Sequence, residues 1–280
     1  MDCSKALHGK KIILFGASRG IGFNIASHLL SKGSEVTISS GNEANLNTAQ
    51  QELKKQFPSV KVSKIKADFN KPLSLETALR PLLGQGAFYA VIISSAVLGP
   101  SGDFTKTDLT CWGPTFDVNV FGPIVLLHYL LRHNLISKNG KIIFLSGGIS
   151  GPDPYFISFS ASKHALNGFA YSLAYQLAKK DIWVNSVLPG SYHTEMNKTR
   201  IARGLDNIGS DNYLLALSRL AEDEIEKYQK LHYLIEWLCS PLSDGIYGRL
   251  ISAQYDDWQN HVERLKDERD ELYKIVRKKD

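Results

Sequence analysis

The sequence predicts an α/β chain, a single domain built on a doubly wound parallel sheet with helices on both faces. Three observations carry this. Short apolar runs recur along the chain, longer amphipathic stretches alternate with them, and a glycine-rich turn joins the first run to the first amphipathic stretch. Strands separated by helices return in the same direction through crossovers, so they pair in parallel and place helices on the sheet faces.

The expected strands are 11–15, 35–39, 60–66, 90–94, 141–145 and 182–188, with a late edge strand at 249–252. The expected helices are 21–31, 44–57, 75–83, 116–133 and 160–179. No repeat and no Pro/Ser-rich linker divides the chain, so residues 1–253 read as one domain. Segment 191–218 is polar and lacks a strong period, which is the pattern of a lid or binding loop. Segment 254–280 carries seven Lys/Arg against eight Asp/Glu and reads as a solvated surface extension.

Composition sets limits on function. The 280 residues are 43% hydrophobic and 22% charged, which excludes disordered and collagen-like classes. A net charge of +5 with no dense Lys/Arg run does not point to nucleic acid. Cys3, Cys111 and Cys239 lie far apart and form neither a metal-ligand spacing nor a disulfide framework. No metal is expected, and the cysteines fit a reducing cytoplasm. The polar stretch 1–11 does not read as a signal peptide. The longest apolar stretch, 124–131, is interrupted by His128 and Tyr129 and is shorter than the ~20 residues of a membrane span.

The first strand runs into Gly16-Ala17-Ser18-Arg19-Gly20-Ile21-Gly22 and then a helix. Glycines permit the tight turn and a close approach of backbone to a pyrophosphate at the positive helix end. Nucleotide binding is the function that this placement indicates.

Several further motifs follow in order. They are Ala67-Asp68-Phe69, Ser94-Ser95-Ala96, Asp117-Val118-Asn119-Val120, Leu145-Ser146-Gly147-Gly148, Ser160-Ala161-Ser162-Lys163, and Leu188-Pro189-Gly190 with Thr194. In this order and spacing the chain resembles the short-chain dehydrogenase/reductase family over roughly residues 8–253. The resemblance implies a Rossmann-type fold and an oxidoreductase acting with a nicotinamide dinucleotide. It implies that Asn119, Ser146 and Lys163 stand at catalytic positions, with Phe159 at the fourth. It also implies a cofactor site made of Gly16, Ser18, Arg19, Gly20, Ile21, Gly22, Ser40, Asp68, Phe69, Ser95, Ala96, Lys163, Pro189, Gly190 and Thr194.

Charge bears on which cofactor is used. NAD-preferring sites place a carboxylate at the end of the second strand for the ribose 2′-hydroxyl. Ser40 stands there, so a 2′-phosphate meets no repulsion, and Arg19 is available to pair with it. NADP(H) is favoured over NAD(H). Gly41 occupies the place where the family's NADP users often carry a second Arg.

Phe159 is the main departure. The family has a Tyr four residues before the Lys, whose phenol exchanges a proton as hydride moves, while the Lys lowers the phenol pKa and binds ribose. Four explanations stay open. The chain binds the dinucleotide without turnover; Tyr155 or Tyr192 supplies the proton; the chemistry needs no phenol; or a deliberate Tyr→Phe change was made. The resemblance also implies a small carbonyl or alcohol substrate. The 248–258 stretch, with segments 146–148 and 151–154, is similar to a branch associated with bacterial surface glycans, which points to a sugar or sugar-nucleotide. The lid carries His193, Glu195, Lys198, Arg200 and Arg203, a net basic set that could hold a phosphate or nucleotide-activated group, although such charges are commonly solvated. The family pairs helices 116–133 and 160–179 across a two-fold axis, with Gly168 permitting close approach, so a homodimer or homotetramer is expected.

Overall fold

A computed structural model of the protein describes residues 6–147, 151, 153–221 and 225–275. Its strands are β1 (Lys11–Phe15), β2 (Glu35–Ser40), β3 (Val62–Lys66), β4 (Phe88–Ile93), β5 (Ile136–Leu145), β6 (Trp183–Leu188) and β7 (Leu250–Ser252). They form one parallel sheet in the order β3-β2-β1-β4-β5-β6-β7. The doubly wound sheet is present, and the late strand lies at the edge beside β6. Strand order reverses between β1 and β4, which opens a crevice at the carboxyl ends of these two strands.

The helices are α1 (Gly20–Ser31), α2 (Glu43–Gln56), α3 (Leu75–Leu79), α4 (Trp112–Phe116), α5 (Gly122–Arg132), α6 (Ile157–Ala178), α7 (Glu195–Ala202), α8 (Leu205–Ile208), α9 (Ser210–Ala221), α10 (Ile225–Leu238) and α11 (Val262–Lys266). The sheet separates two apolar layers. Alternation along β1 sends Ile12 and Leu14 to the layer holding Leu29 and Leu30 of α1, Leu53 of α2 and Leu234 of α10. Ile13 and Phe15 point to the other layer, with Leu79 of α3, Leu126 of α5 and Leu166 of α6. β4 is buried along its whole length, the continuous apolar run that a central parallel strand requires.

Four segments differ from their sequence-based description. The 75–83 helix stops at Leu79 and tightens into a 3₁₀ turn, Arg80–Leu82, because Pro81 has no amide to donate. The 116–133 helix starts earlier. Leu109–Arg132 is helical over 24 residues, long and apolar enough by length and composition to cross a membrane, which the 124–131 stretch alone was not. More than half of its most apolar part is buried, and Leu126, Leu127 and Leu130 belong to the apolar layer under the sheet, as in a core helix.

The 191–218 segment is not a loop but a set of short helices, α7, α8 and the start of α9, broken at Gly204 and Gly209 with φ of +78° and +76°. The extension read as solvated is folded onto the body through residue 275. Trp258 lies 4.6 Å from Trp237 of α10, and Leu265 is buried. Arg249, itself buried, donates to the carbonyls of Leu265, Asp267, Asp270 and Leu272. Charge count hid this, because the packing uses the apolar side chains Trp258, Val262, Leu265, Leu272 and Tyr273 together with backbone carbonyls. Met1–Lys5 and residues 276–280 lie outside the described residues.

Candidate active site

The turn after β1 is held by two backbone bonds, from Gly16 and Ala17 N–H to the Ser39 carbonyl at 2.9 and 3.0 Å. Gly16 has φ of +80°, and a Cβ there would lie 2.5 Å from the Ser95 amide nitrogen. A Cβ on Gly22 would lie 2.3 Å from the Gly16 carbonyl oxygen, so α1 reaches this turn only because both positions are glycine. Arg19 is the residue before α1. Its backbone is extended, and it makes no side-chain cap. The amino end of α1 therefore carries amides without a capping side chain, the arrangement that receives a phosphate. Gly20 faces the Thr194 methyl, 3.3 Å from where a Cβ would stand, which brings the residue before α7 over the glycine turn. Ile21 packs on the core layer beneath.

At the end of β2, the Ser18 hydroxyl donates to the Ser40 hydroxyl at 3.0 Å, and the Asn42 amide donates to the same oxygen at 3.2 Å. No carboxylate stands at position 40, so a 2′-phosphate fits its chemistry. A Cβ on Gly41 would come 2.8 Å from Asp68 Oδ1, so a larger residue at 41 would displace that carboxylate. Asp68 accepts from the Asn70 amide and side chain, both at 3.0 Å. The Phe69 ring points into the core, 5.8 Å from Phe15 and against Gly122. Only its backbone remains for a cofactor. Arg19 is exposed, and its charge also acts on Glu195, whose carboxyl is held low first by hydrogen bonding from Lys198.

Asn119 lies in a π-helical turn, Asp117–Phe121, between α4 and α5. It is fully buried. Its Nδ2 donates to the Val97 carbonyl and to Ser162 Oγ, and its Oδ1 accepts from the Val97 amide, all at 2.9 Å. Ser162 in turn donates to the Phe159 carbonyl at 2.7 Å. The Asn119 side chain is thus saturated and ties the loop after β4, which carries Ser95 and Ala96, to α6.

Ser146 and Lys163 meet at the carboxyl end of β5. Lys163 Nζ, wholly buried, donates to the Leu145 carbonyl at 3.1 Å. Burial lowers its pKa to about 8. The Ser146 hydroxyl accepts from Asn167 Nδ2 at 2.8 Å, and its own proton goes to no acceptor among the described residues. Asn167 was missed in the sequence. The signal available was its position one turn beyond Lys163 on the same helix face.

Phe159 sits in an apolar cluster with Leu98, Phe156 and Ile208, flanked by Ala96, Tyr155, Met196 and Tyr213. Its ring centroid is 5.8 Å from Lys163 Nζ. It therefore fills the position before the lysine with a side chain that can neither give nor take a proton. Tyr192 is not a substitute. Its hydroxyl is buried, shares its one proton between the Pro189 and Lys227 carbonyls, both at 3.0 Å, and accepts from Gln254 at 3.1 Å. Tyr155 precedes α6 instead of lying on it, and it packs against Gly209.

Pro189 and Gly190 form the turn after β6. The Pro189 carbonyl accepts from Gln254 at 3.0 Å, and Gly190 has φ of +99° with Gln254 against it. Of the 248–258 stretch, Arg249 and Trp258 secure the C-terminal segment, and Gln254 supports this turn. Gly148 and Pro152, which belong to the sequence motifs, lie outside the described residues. A surface concavity lined by Lys11, Glu35, Lys61 and Phe88 opens at the amino ends of the strands and holds none of these groups.

The chain is 28% identical over 257 residues to the human dehydrogenase/reductase SDR family member 2, mitochondrial, covering 90% of this chain and 88% of that protein. It is 29% identical over 193 residues to an L-rhamnose 1-dehydrogenase (NADP(+)) of Thermoplasma acidophilum, covering 68% and 75%. A crystal structure of a dehydrogenase/reductase from Sinorhizobium meliloti 1021 superposes with a TM-score of 0.71 at 26% identity, covering 89% of this chain and 95% of that one. The profile of the short chain dehydrogenases matches residues 10–203, and the chain belongs to that family of oxidoreductase enzymes.

Proposed function

We propose that the protein is an NADP(H)-dependent carbonyl reductase or alcohol dehydrogenase whose turnover is slowed by Phe159. The observation that carries this is the convergence of Ser146 and Lys163 at the carboxyl end of β5, beside a glycine turn shaped for a dinucleotide. The amino end of α1 and Gly16, Gly20 and Gly22 would hold the pyrophosphate, and Asp68 the adenine. Ser18, Ser40 and Arg19 would take the 2′-phosphate, Lys163 the nicotinamide ribose, and Pro189, Gly190 and Thr194 the carboxamide. The bound cofactor supplies or accepts the hydride. Ser146, oriented by Asn167, would hydrogen-bond the carbonyl oxygen through its hydroxyl while keeping its proton. Reduction forms one C–H bond from hydride and one O–H bond from a proton, and with Phe159 in place that proton must come from solvent or from Tyr155.

Segment 191–218 serves as the substrate lid on the dinucleotide-binding domain 1–253. A sugar or sugar-nucleotide carbonyl is the substrate class that the sequence resemblance favours, and the relative acting on L-rhamnose with NADP(+) supports both parts of that reading. A homodimer or homotetramer through α5 and α6 accords with the open space beside Gly168 and the exposed Phe121. Light scattering giving a monomer mass at micromolar concentration would oppose it. The protein is assigned to the cytoplasm on its cysteine pattern.

A second reading is a dinucleotide-binding protein without turnover. It is favoured by the burial of Phe159 in an apolar cluster and by the locked hydroxyl of Tyr192. Phe159→Tyr separates the two. Restoring the phenol beside Lys163 should raise turnover of keto-sugars, keto-sugar nucleotides or simple ketones by about 10²–10⁴, with NADPH binding unchanged. No turnover in either protein would favour the second reading. An unmodified protein that is already fast, with no gain from the tyrosine, would refute the impaired relay.

A further inference from the structure

Two arginines at the end of the lid helix α7 lie over one buried aromatic ring. The Arg200 guanidinium carbon is 4.6 Å from the Phe156 ring centroid, and that of Arg203 is 5.5 Å away. Phe156 is fully buried and stands immediately before α6. The sequence presented these arginines as solvated lid charges, and the structure places them against the core.

Their charges are answered unequally. Arg200 has Asp153 at 3.9 Å. The other oxygen of that carboxylate is occupied by the amides of Tyr155 and Phe156 at 3.2 Å and the Asn212 side chain at 3.3 Å. Arg203 makes no side-chain hydrogen bond or ion pair among the described residues, and its Nη1 is buried without a partner. Burial lowers the Arg203 pKa, and no carboxylate opposes that shift. A partly buried guanidinium without an acceptor is costly, and an anion delivered to it would remove the cost.

The place matters as much as the charge. Phe156, the residue before α6, and Phe159 in its first turn belong to one apolar cluster. Arg203 thus stands over a ring of the same apolar cluster that holds Phe159.

We propose that Arg203 binds an oxyanion of the substrate, a phosphate or a carboxylate, at the lid wall of the catalytic pocket. This rests on the oxidoreductase reading of the site. It narrows the substrate to a carbonyl compound carrying an acidic group a short distance from the reacting carbon. The planar guanidinium offers two parallel donors to such a group, which a lysine would not.

The test uses the full chain saturated with NADP⁺, so that the glycine turn is already filled. Inorganic phosphate and acetate are titrated separately by calorimetry and by thermal melting. The comparison proteins are Arg203→Gln and Lys198→Gln, the latter removing an exposed lid cation already paired with Glu195. The expected result is that at least one anion binds and raises the melting temperature, with affinity at least ten-fold weaker in Arg203→Gln and unchanged in Lys198→Gln. Without anion, Arg203→Gln should melt no lower than the unmodified protein, because it removes an uncompensated buried charge. A response to phosphate alone identifies a phosphorylated substrate, and a response to acetate alone a carboxylate. Neither anion binding, equal binding in Arg203→Gln, or an anion-independent loss of stability in that variant would overturn the proposal. Failure of NADP⁺ itself to bind would refute the oxidoreductase reading instead, and the two failures are therefore distinct.

Discussion

Asn167 Nδ2 donates to the hydroxyl of Ser146 at 2.8 Å, from one turn beyond Lys163 on α6. The bond fills an acceptor site on the serine and leaves its proton to point elsewhere. Asn167 Oδ1 is buried and has no partner among the described residues, which costs some stability. Both facts fit a positioning residue. Asn167→Leu should lower kcat about 3–10-fold, the worth of one hydrogen bond near 1 kcal/mol, while NADPH affinity holds. Stability should stay level or rise as the orphan acceptor disappears. The measurement is best made with Phe159→Tyr present, where turnover is highest, and an unchanged kcat would remove Asn167 from the site's mechanism.

Lys163 titrates at about 8 in the fold against 10.5 when free, because burial disfavours its charge. Below pH 8 both folded and unfolded chains hold the proton, and the burial cost is fully present. Between about 8 and 10.5 the unfolded chain binds more protons, so stability rises with pH by at most ~1.4 kcal/mol per unit. Melts of the unmodified protein and Lys163→Met across this window isolate the effect. The difference between them should shift in favour of the unmodified protein as pH rises, and a flat difference would contradict the buried, depressed lysine. NADPH affinity should move the other way and weaken above pH 8 as the cation is lost.

Ser40 and Ser18 leave the end of β2 without a carboxylate, and Arg19 is the nearby exposed cation of the glycine turn. NADPH should therefore bind more tightly than NADH, and Arg19→Ala should narrow the gap by roughly ten-fold or less, as for one charge-assisted contact. Glu195→Gln removes the carboxylate that shares the Arg19 field and should widen it slightly. Calorimetry showing NADH as the tighter ligand would overturn the preference.

Arg249 spends its guanidinium on five backbone carbonyls of the C-terminal segment, four of them at 2.6–2.9 Å and that of Arg264 at 3.4 Å. A lysine has one nitrogen and cannot reproduce this fan. Arg249→Lys should cost about 2–4 kcal/mol in chemical denaturation and open residues 254–275 to protease. Full retention of protease resistance would show that Trp258 and Leu265 hold the segment unaided.

What the sequence determined was local. Six strands, the glycine turn and the parallel sheet follow from short periodic runs and from positions such as Gly16, where backbone shape leaves one residue choice. The placing of Ser146 at a strand end and Lys163 on the following helix was legible, because a strand and a helix carry them at fixed spacing. Tertiary structure decided everything that depends on a distant partner. It turned the Phe69 ring into the core, locked the Tyr192 hydroxyl between carbonyls 38 residues apart in the chain, saturated Asn119, and folded a charged extension onto Arg249. It also laid Arg200 and Arg203 on Phe156, where sequence showed only two cations in a polar stretch. A hydrogen bond or a stacked ring has no periodicity, so it leaves no trace in the order of residues until the sheet brings its two halves together.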